Sequence, residues 1–346
     1  MIWLTLRQFR VQALVAAGAL AALAAVLALT GPGLSDDYSS GLATCTAQGD
    51  CTRFTTRFFD DHRAYFFGLT SLVIFVPGVI GVFWGAPLIT RELEAGTHRL
   101  VWNQSISRTR WLSVKLGIVG AVAMVAAGLA CLAVTWWSEP LDEAAGKRMP
   151  RLAPLMFDAR GIAPIGYAAF AFALGVTVGV LVRRTLPAMA ITLAVFAAVQ
   201  IAMPLFVRPY LIPPKEAKIT VTPANVGELS LSEEGVSMGA SVADPGAWTL
   251  SNYTVDSAGR KVTWMPRSLA VTACQPPPTP PGATEPPPGP DPKCFTEIAR
   301  LGYRQQISYH PGSRFWALQW RETGVFALLT AGLSGFCFFW VRRRLS

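Results

Sequence analysis

The sequence predicts an all-α polytopic membrane protein with six transmembrane helices, both termini in the cytoplasm, and a sizeable extracellular segment between helices 5 and 6. Apolar residues make up 52% of its 346 residues and charged residues only 15%, which is outside the usual range of soluble domains. Six windows without Asp, Glu, Lys or Arg are each long enough to cross a bilayer, which needs about 20 apolar residues. These windows are 11–35, 64–90, 116–138, 161–182, 185–207 and 323–341.

The N-terminal residues 1–10 combine apolar and basic side chains at helical spacing, which predicts an interfacial helix leading into the first span. A basic start to the first transmembrane helix is the alternative. Span 1 is too long to be only a cleaved signal peptide, and we expect it to remain as an anchor. We also expect it to end before Gly31-Pro32-Gly33, where an outer loop over 30–63 begins.

Span 2 is aromatic and contains Phe75, Phe83 and Trp84. An aromatic helix with proline bends could line a path for a hydrophobic substrate. Gln200 in span 5, the strongest polar group in the spans, is the fourth candidate for this path. The alternative is that these aromatic side chains face lipid or pack between helices.

A polar island at residues 90–115 separates spans 2 and 3 and carries five basic and two acidic residues. Short loops rich in Lys and Arg stay in the cytoplasm, so the island is predicted to lie inside the cell. Thr90 can cap a short surface helix there, and Gly96 can end it. Glu92 and Glu94 would then be placed to meet a cytosolic partner. A basic connector that only obeys the topology rule is the alternative.

The other charged connections favour the same orientation. Spans 4 and 5 are joined by the tight turn Arg183-Arg184, and span 6 ends at Arg342-Arg343-Arg344. With both termini inside, the inner side carries twelve basic and two acidic residues, against 18 basic and 19 acidic elsewhere. The basic balance is therefore a topology signal. A nucleic-acid partner is not predicted, because cations and aromatics are not interleaved on a soluble face.

Residues 208–322 form the predicted extracellular cap. Its sequence opens with prolines, continues with β-prone runs, and contains a proline-rich loop over 275–293 that cannot pack a core. We expect a small, loosely structured cap of short helices and turns. Residues 323–346 then form transmembrane helix 6 and a basic cytoplasmic tail.

The six cysteines agree with this orientation. Cys45 and Cys51 share the first outer loop, and Cys274 and Cys294 share the large outer segment. Because the outer side is oxidising, we predict the disulfides Cys45–Cys51 and Cys274–Cys294. A metal site is not predicted, since the three histidines are scattered and no Cys/His spacing fits a tetrahedral site.

Two motifs of nucleotide and zinc chemistry are missing from the sequence. It contains no G-x-x-x-x-G-K-[ST] phosphate loop and no H-E-x-x-H helix. The predicted spans also lack the Asp, Glu, His or Lys near the midplane that ion-driven transporters use for coupling. We therefore do not predict an enzyme, and energy for any transport would come from another chain.

The polar island resembles the loop after the second transmembrane helix of ABC-2-type transporter permeases. The residues that carry the resemblance are a Glu-containing turn, a Ser-Arg pair and a Lys that opens the next span: Arg91-Glu92-Leu93-Glu94-Ala95-Gly96-Thr97, then Ser105, Ser107-Arg108 and Lys115. The run from Tyr309 to Trp320, which leads into the last span, resembles an actinobacterial subgroup of these permeases. Together with the order of spans, the resemblance covers most of the chain.

In that family the loop carries a coupling helix that rests on the nucleotide-binding subunit. The resemblance therefore assigns coupling to the ATPase to these residues: Arg91, Glu92, Glu94, Gly96, Thr97 and Arg108. It also implies the membrane subunit of an ATP-driven exporter in the bacterial plasma membrane, acting as a homodimer with two copies of a separate ABC ATPase. This chain would hold no cofactor, and ATP and Mg²⁺ would be bound by the partner subunit.

Apolar, aromatic spans favour a hydrophobic or amphipathic substrate for such an exporter. The alternative function, from a different class, is a non-transporting membrane immunity or sensor protein. In that case the extracellular cap would bind a ligand and signal across the bilayer.

Overall fold

A computed structural model describes residues 2–47, 49, 51–96, 107–244, 246–272, 274 and 292–344. In this part of the chain, six helices are long and apolar enough to cross a membrane: Thr5–Thr46, Thr52–Glu94, Arg108–Ala145, Ala163–Val182, Thr185–Leu211 and Gly312–Arg343. The chain divides into a helical unit, residues 1–212 and 315–346, and a second unit, residues 213–314. The second unit is thus a few residues shorter at each end than the predicted cap at 208–322.

The helical unit begins with eight helices among the described residues. They are α1 (Ile2–Thr46), α2 (Thr52–Ile80), α3 (Ala86–Glu94), α4 (Arg108–Ala145), α5 (Pro154–Ala159), α6 (Ala163–Val182), α7 (Thr185–Ala202) and α8 (Arg208–Leu211). Two π-helical turns make longer helices of these pieces, since Gly81–Gly85 joins α2 to α3 and Met203–Val207 joins α7 to α8.

The second unit contains two antiparallel sheets rather than the expected short helices and turns. Its elements are β1 (Lys215–Ile219), β2 (Val226–Ser232), β3 (Gly235–Ala240), β4 (Trp248–Val255), β5 (Lys261–Val262), α9 (Arg267–Thr272), α10 (Pro292–Arg300) and β6 (Arg304–His310). One sheet has the strand order β1-β6-β4-β5, and β2 pairs with β3 in the other. Residues 275–291 of the predicted proline-rich loop lie outside the described part of the chain.

A buried core holds the second unit together. Val236, Met265 and Ile307 are fully or almost fully buried in it, and the Cys274–Cys294 disulfide lies among them. The expectation of a loosely structured cap is therefore wrong. The β-prone runs pair as antiparallel strands. Their backbone groups hydrogen-bond to each other, whereas in isolated turns many of them would hydrogen-bond to water. After this unit, α11 (Phe315–Arg344) completes the helical unit.

The first helix is longer than the predicted span. α1 continues through Gly31-Pro32-Gly33 as one helix, so the expected loop over 30–63 is wrong, and residues 2–10 are the start of α1 rather than a separate interfacial helix. Contacts from α4 explain this continuity. Trp137 Nε1 donates to Thr30 Oγ1 at 2.9 Å, and a Cβ at Gly31 would lie 2.9 Å from the Trp136 ring. Neighbouring helices make Pro and Gly tolerable inside membrane helices in this way.

Helices α1 and α2 form a hairpin closed by the Cys45–Cys51 disulfide. The ring of Tyr38 on α1 lies 5.2 Å from that of Phe58 on α2, so the two helices pack up to the tip. The 45 residues of α1 span about 67 Å at about 1.5 Å per residue. A bilayer with its headgroups measures about 40–45 Å, so α1 is longer than the bilayer is thick.

α6 is the most deeply buried of the six spans, and glycines bring it against the helix that includes α2 and α3. A Cβ added to Gly175 would overlap the carbonyl oxygen of Gly81. One added to Gly85 would lie 2.6 Å from the Phe172 oxygen, and one at Gly179 would lie 2.8 Å from the Ala86 oxygen. These backbones are therefore in direct contact, as small residues permit between membrane helices.

We expect the Gly175→Ala substitution to lower the free energy of unfolding by about 1–3 kcal/mol, because the added methyl forces two backbones apart. Thermal unfolding of the full chain in detergent would measure this as a lower midpoint. Gly117→Ala on α4 is the matched control, since no atom lies within 4 Å of the added Cβ there. Equal unfolding midpoints for the two variants would show that α6 is not in backbone contact.

Candidate functional site

A buried polar junction lies where the predicted coupling segment meets the spans. Lys115 Nζ on α4 lies 2.6 Å from Glu92 Oε1 on α3, and donates to the Leu88 carbonyl at 3.3 Å. Gln8 Nε2 on α1 donates to the same Glu92 oxygen at 2.9 Å. The Lys115 ammonium also lies 5.0 Å from the centre of the Trp111 ring. The junction therefore binds the ends of α1, α3 and α4 to one carboxylate.

The expected placement of Glu92 on a surface helix is wrong, whereas its role in coupling to the ATPase stays a prediction. Its side chain is 11% exposed and that of Lys115 only 3%, so the pair is buried within this chain. The physical reason is that α3 is the end of the second span and not a separate surface helix. Thr90 lies inside this helix and donates to the Ala86 carbonyl at 2.9 Å, so it does not cap a helix either.

Glu94, unlike Glu92, is exposed and links α3 to α7. Its carboxylate accepts hydrogen bonds from the Thr185 backbone N–H at 2.8 Å and from the Thr185 hydroxyl at 2.7 Å. Thr185 is the first residue of α7, where backbone N–H groups lack helical partners and the helix dipole favours an anion. The Thr90 hydroxyl lies 2.9 Å from that of Thr185, so the two helices are also in close contact at this point. A displacement of the end of α3 would therefore also displace the start of α7.

Three other predicted coupling residues lie at the ends of α3 and α4. Arg91 is exposed on the last turn of α3, and Gly96 follows with a φ of 67°, a left-handed conformation that ends the helix. Arg108 begins α4 after Ser107, whose hydroxyl accepts from the Arg110 N–H at 3.3 Å. Thr97 and the rest of residues 97–106 lie outside the described residues.

We expect Lys115→Met to lower the free energy of unfolding by about 3–5 kcal/mol, because it leaves the buried Glu92 carboxylate without its cation. The double variant Glu92→Gln/Lys115→Met should recover most of this loss, since it buries no unpaired charge. Chemical unfolding of the two variants in detergent would measure the difference. Arg57→Ala, which breaks an ion pair whose side chains are 85% and 64% exposed, is the control and should change stability by less than about 1 kcal/mol. Additive single and double effects would contradict the coupling of Glu92 to Lys115.

Three of the four residues predicted for a substrate path line one apolar groove of about 640 Å³ between α1 and the α2–α3 helix. Phe75 and Phe83 are 67% and 53% exposed, whereas Trp84 is buried, and the centre of its ring lies 5.0 Å from that of Phe9 in an edge-to-face arrangement. Gln200 lies on α7 and is not among the residues that line this groove. The structure thus brings the aromatic side chains together and leaves the amide apart.

A second buried ionic cluster escaped the sequence prediction. Arg208 on α8 donates to both oxygens of Glu322 on α11, with Nε–Oε2 at 2.6 Å and Nη2–Oε1 at 2.8 Å, and its Nη2 also donates to Asp158 on α5. The Tyr167 hydroxyl on α6 lies 2.6 Å from Glu322 Oε1 and 3.0 Å from Asp158 Oδ1. The prediction of spans without ionisable groups is therefore wrong at these helix ends.

A third buried pair lies beside this cluster. Arg160 donates to both oxygens of Asp142, at 3.1 and 3.2 Å, and to the Ser138 hydroxyl at 2.7 Å. The predicted windows ended at the first charged residue, whereas α8 runs to Leu211 and α11 begins at Phe315. Arg208 and Glu322 each lie directly beside an apolar window, and this position was the sequence signal that could have indicated buried charges at the span ends. Among the described residues, no group of three or more His, Cys, Asp or Glu side chains could hold a metal ion.

Six apolar helices tied together at their ends by buried polar residues define a multi-pass membrane protein. The family model described as ABC-2 membrane transporter related matches residues 17–208, more than half of the chain, and the chain belongs to this family. No curated protein and no solved structure matches the chain. The family resemblance of the polar island is thus confirmed, while the actinobacterial subgroup stays a prediction.

Family membership defines the general role of the protein. It is a permease component of a transporter, located in the cell membrane if the source is bacterial. Members of the family are transmembrane subunits without an ATPase of their own, and the family implies an ABC ATPase as the partner.

Proposed function

We propose that this chain is the membrane subunit of an ATP-driven exporter that moves a hydrophobic or amphipathic substrate out of the cell. Two copies of the chain would form a homodimer with two copies of an ABC ATPase, which would bind ATP and Mg²⁺. The family match supports the permease role and favours it over the immunity or sensor alternative. The orientation with both termini inside rests on the charge partition of the loops.

The observation that carries the proposal is the way the end of α3 is bonded to three other spans. Glu92 connects it to Lys115 on α4 and to Gln8 on α1, and Glu94 connects it to Thr185 on α7. A displacement of this end by a partner would therefore reach spans 1, 3 and 5 through charged hydrogen bonds. Such a rigid connection suits a transition between two packed arrangements of helices.

This geometry changes the roles that we assign to the coupling residues. Glu92 and Glu94 transmit motion between helices, because their carboxylates are already engaged within the chain. Arg91 is exposed on the same turn and is the better candidate for direct contact with the ATPase, where an acidic side chain would complement it. Gly96 lets the chain leave the helix at that point.

The apolar groove supports the proposed substrate class. Its lining includes the aromatic residues Phe75, Phe83 and Trp84 on one side and the small or branched residues Val15 and Ala19 of α1 on the other. Predominantly hydrophobic, aromatic walls favour hydrophobic ligands. Gln12 also lines the groove and provides a polar group for the head of an amphipathic molecule.

Affinity purification of the tagged full chain from its native membrane should co-elute an ABC ATPase whose turnover depends on the permease. Inside-out vesicles that contain both proteins should accumulate a hydrophobic fluorescent dye when ATP is added. A chain that purifies alone, or vesicles that accumulate dye without an ATPase, would contradict the proposal.

We expect Glu94→Lys to reduce dye accumulation per ATP hydrolysed by about tenfold, a coupling loss of about 1.4 kcal/mol, because the link between α3 and α7 is broken. The chain should still fold, since Glu94 is exposed. Glu233→Lys is the matched control, because the same charge change falls on an exposed turn between β2 and β3. Unchanged accumulation per ATP in Glu94→Lys would show that α3 does not couple through α7.

A further inference from the structure

We propose that Asp158, Tyr167, Arg208 and Glu322 form a proton-binding site in which Asp158 carries one exchangeable proton. The site lies where α5, α6, α8 and α11 meet, whereas the buried polar junction and the apolar groove are formed by other helices. It adds a function to the permease that does not depend on the proposed export of a substrate.

The charges in this cluster do not balance unless a proton is bound. Arg208 supplies one positive charge, whereas Asp158 and Glu322 supply two negative charges when both are ionised. The Arg208 and Glu322 side chains are 0% exposed and Asp158 is 8% exposed, so water does little to screen the excess. Burial of an uncompensated carboxylate is costly, and a carboxyl group in that position takes up a proton instead.

The geometry identifies Asp158 as the group that carries the proton. Glu322 receives two hydrogen bonds from the Arg208 guanidinium in a bidentate arrangement, which favours its charged form. Asp158 shares only Nη2 of that guanidinium. The better-compensated carboxylate is therefore Glu322, and the proton belongs to the other.

The hydroxyl of Tyr167 gives an independent count of protons. Its oxygen lies 2.6 Å from Glu322 Oε1 and 3.0 Å from Asp158 Oδ1, yet it has one hydrogen to donate. When that hydrogen is donated to Glu322, the phenol oxygen can only accept a hydrogen bond on its other side. A proton on Asp158 Oδ1 supplies this bond, so that Asp158 donates to Tyr167 and Tyr167 donates to Glu322.

The surroundings of Asp158 are consistent with this assignment. Among the described residues, the titratable groups that act on it are Arg208 from α8, Glu322 from α11 and Tyr167 from α6. The neighbouring Arg160 is paired with Asp142 of α4. Burial raises the pKa of Asp158 from 3.8 to about 6, with Arg208 opposing the rise and Glu322 adding to it.

Protonation of Asp158 stabilises the packing of these four helices. Because its pKa is higher in the folded chain than in the unfolded chain, the proton is bound more tightly when the helices are together. The stabilisation is complete below pH 3.8 and is lost as the pH rises through about 6. Asp158 therefore contributes more to the stability of the folded chain in acid than at neutral pH.

Infrared spectroscopy of the full chain in lipid nanodiscs tests the proposal. The wild type should show the carbonyl stretch of a protonated carboxyl group that disappears as the pH rises through about 6. Asp158→Asn should abolish this band, and Asp256→Asn, which changes a carboxylate paired with Arg260 in the second unit, should retain it. Absence of the band from the wild type, or its survival in Asp158→Asn, would overturn the proposal.

Thermal unfolding provides a second measurement on the same proteins. The midpoint of the wild type should fall as the pH rises through about 6, whereas Asp158→Asn, an uncharged isostere of the protonated acid, should lose this dependence. Glu322→Gln is a second variant in case Asp158→Asn fails to fold. With Glu322 neutral, Arg208 compensates Asp158 as a carboxylate, so the infrared band should again be lost. A band retained in Glu322→Gln would overturn the charge count on which the site rests.

Discussion

Glycine pairs on two helices bring their backbones into contact, Gly81 and Gly85 on the second span and Gly175 and Gly179 on α6. The π-helical turn at Gly81–Gly85 falls on this contact and joins α2 to α3. Because α6 is buried on most sides, it fixes the distance of α3 from α6 and the rotation of α3 about its own axis. Glu92 can then reach Lys115, and Glu94 can reach Thr185, only because α3 is placed in this way. The buried polar junction thus depends on close backbone packing several residues away.

Among the residues that the structure describes, the buried charges of the helical unit lie near helix ends. Glu92 and Lys115 mark the end of α3 and the first turns of α4, and Arg208 and Glu322 lie in α8 and the early turns of α11. Desolvating a charge is less costly near the membrane interface than at the midplane, and each of these charges has an opposite partner. The middle of each span is apolar, where small residues and dispersion contacts hold the helices together. Polar bonds therefore set which helix ends move together.

The sequence predicted the class of the protein, the six spans and the polar island, because hydrophobic windows and basic loops follow directly from the chemistry of a bilayer. It predicted helix ends poorly. A window that stops at the first charge cannot include a charged residue with a buried partner. Arg208 and Glu322 were therefore assigned to the extracellular cap, and Glu92 to the polar island. The loop predicted at Gly31-Pro32-Gly33 failed for a related reason, since the packing of α4 on α1 overrides local propensity. The pairing of β1 with β6 joins segments far apart in the chain, and local propensity does not identify such partners.

The pairing of the cysteines has a practical consequence for mapping the protein. Four of the six are joined in disulfides, and the remaining two, Cys131 and Cys337, are each only 1% exposed. The unmodified polypeptide therefore presents no reactive surface thiol. Maleimide reagents should therefore not label the native chain, and its cysteines need not be removed first. Labelling of a single introduced cysteine then shows directly on which side of the membrane it lies.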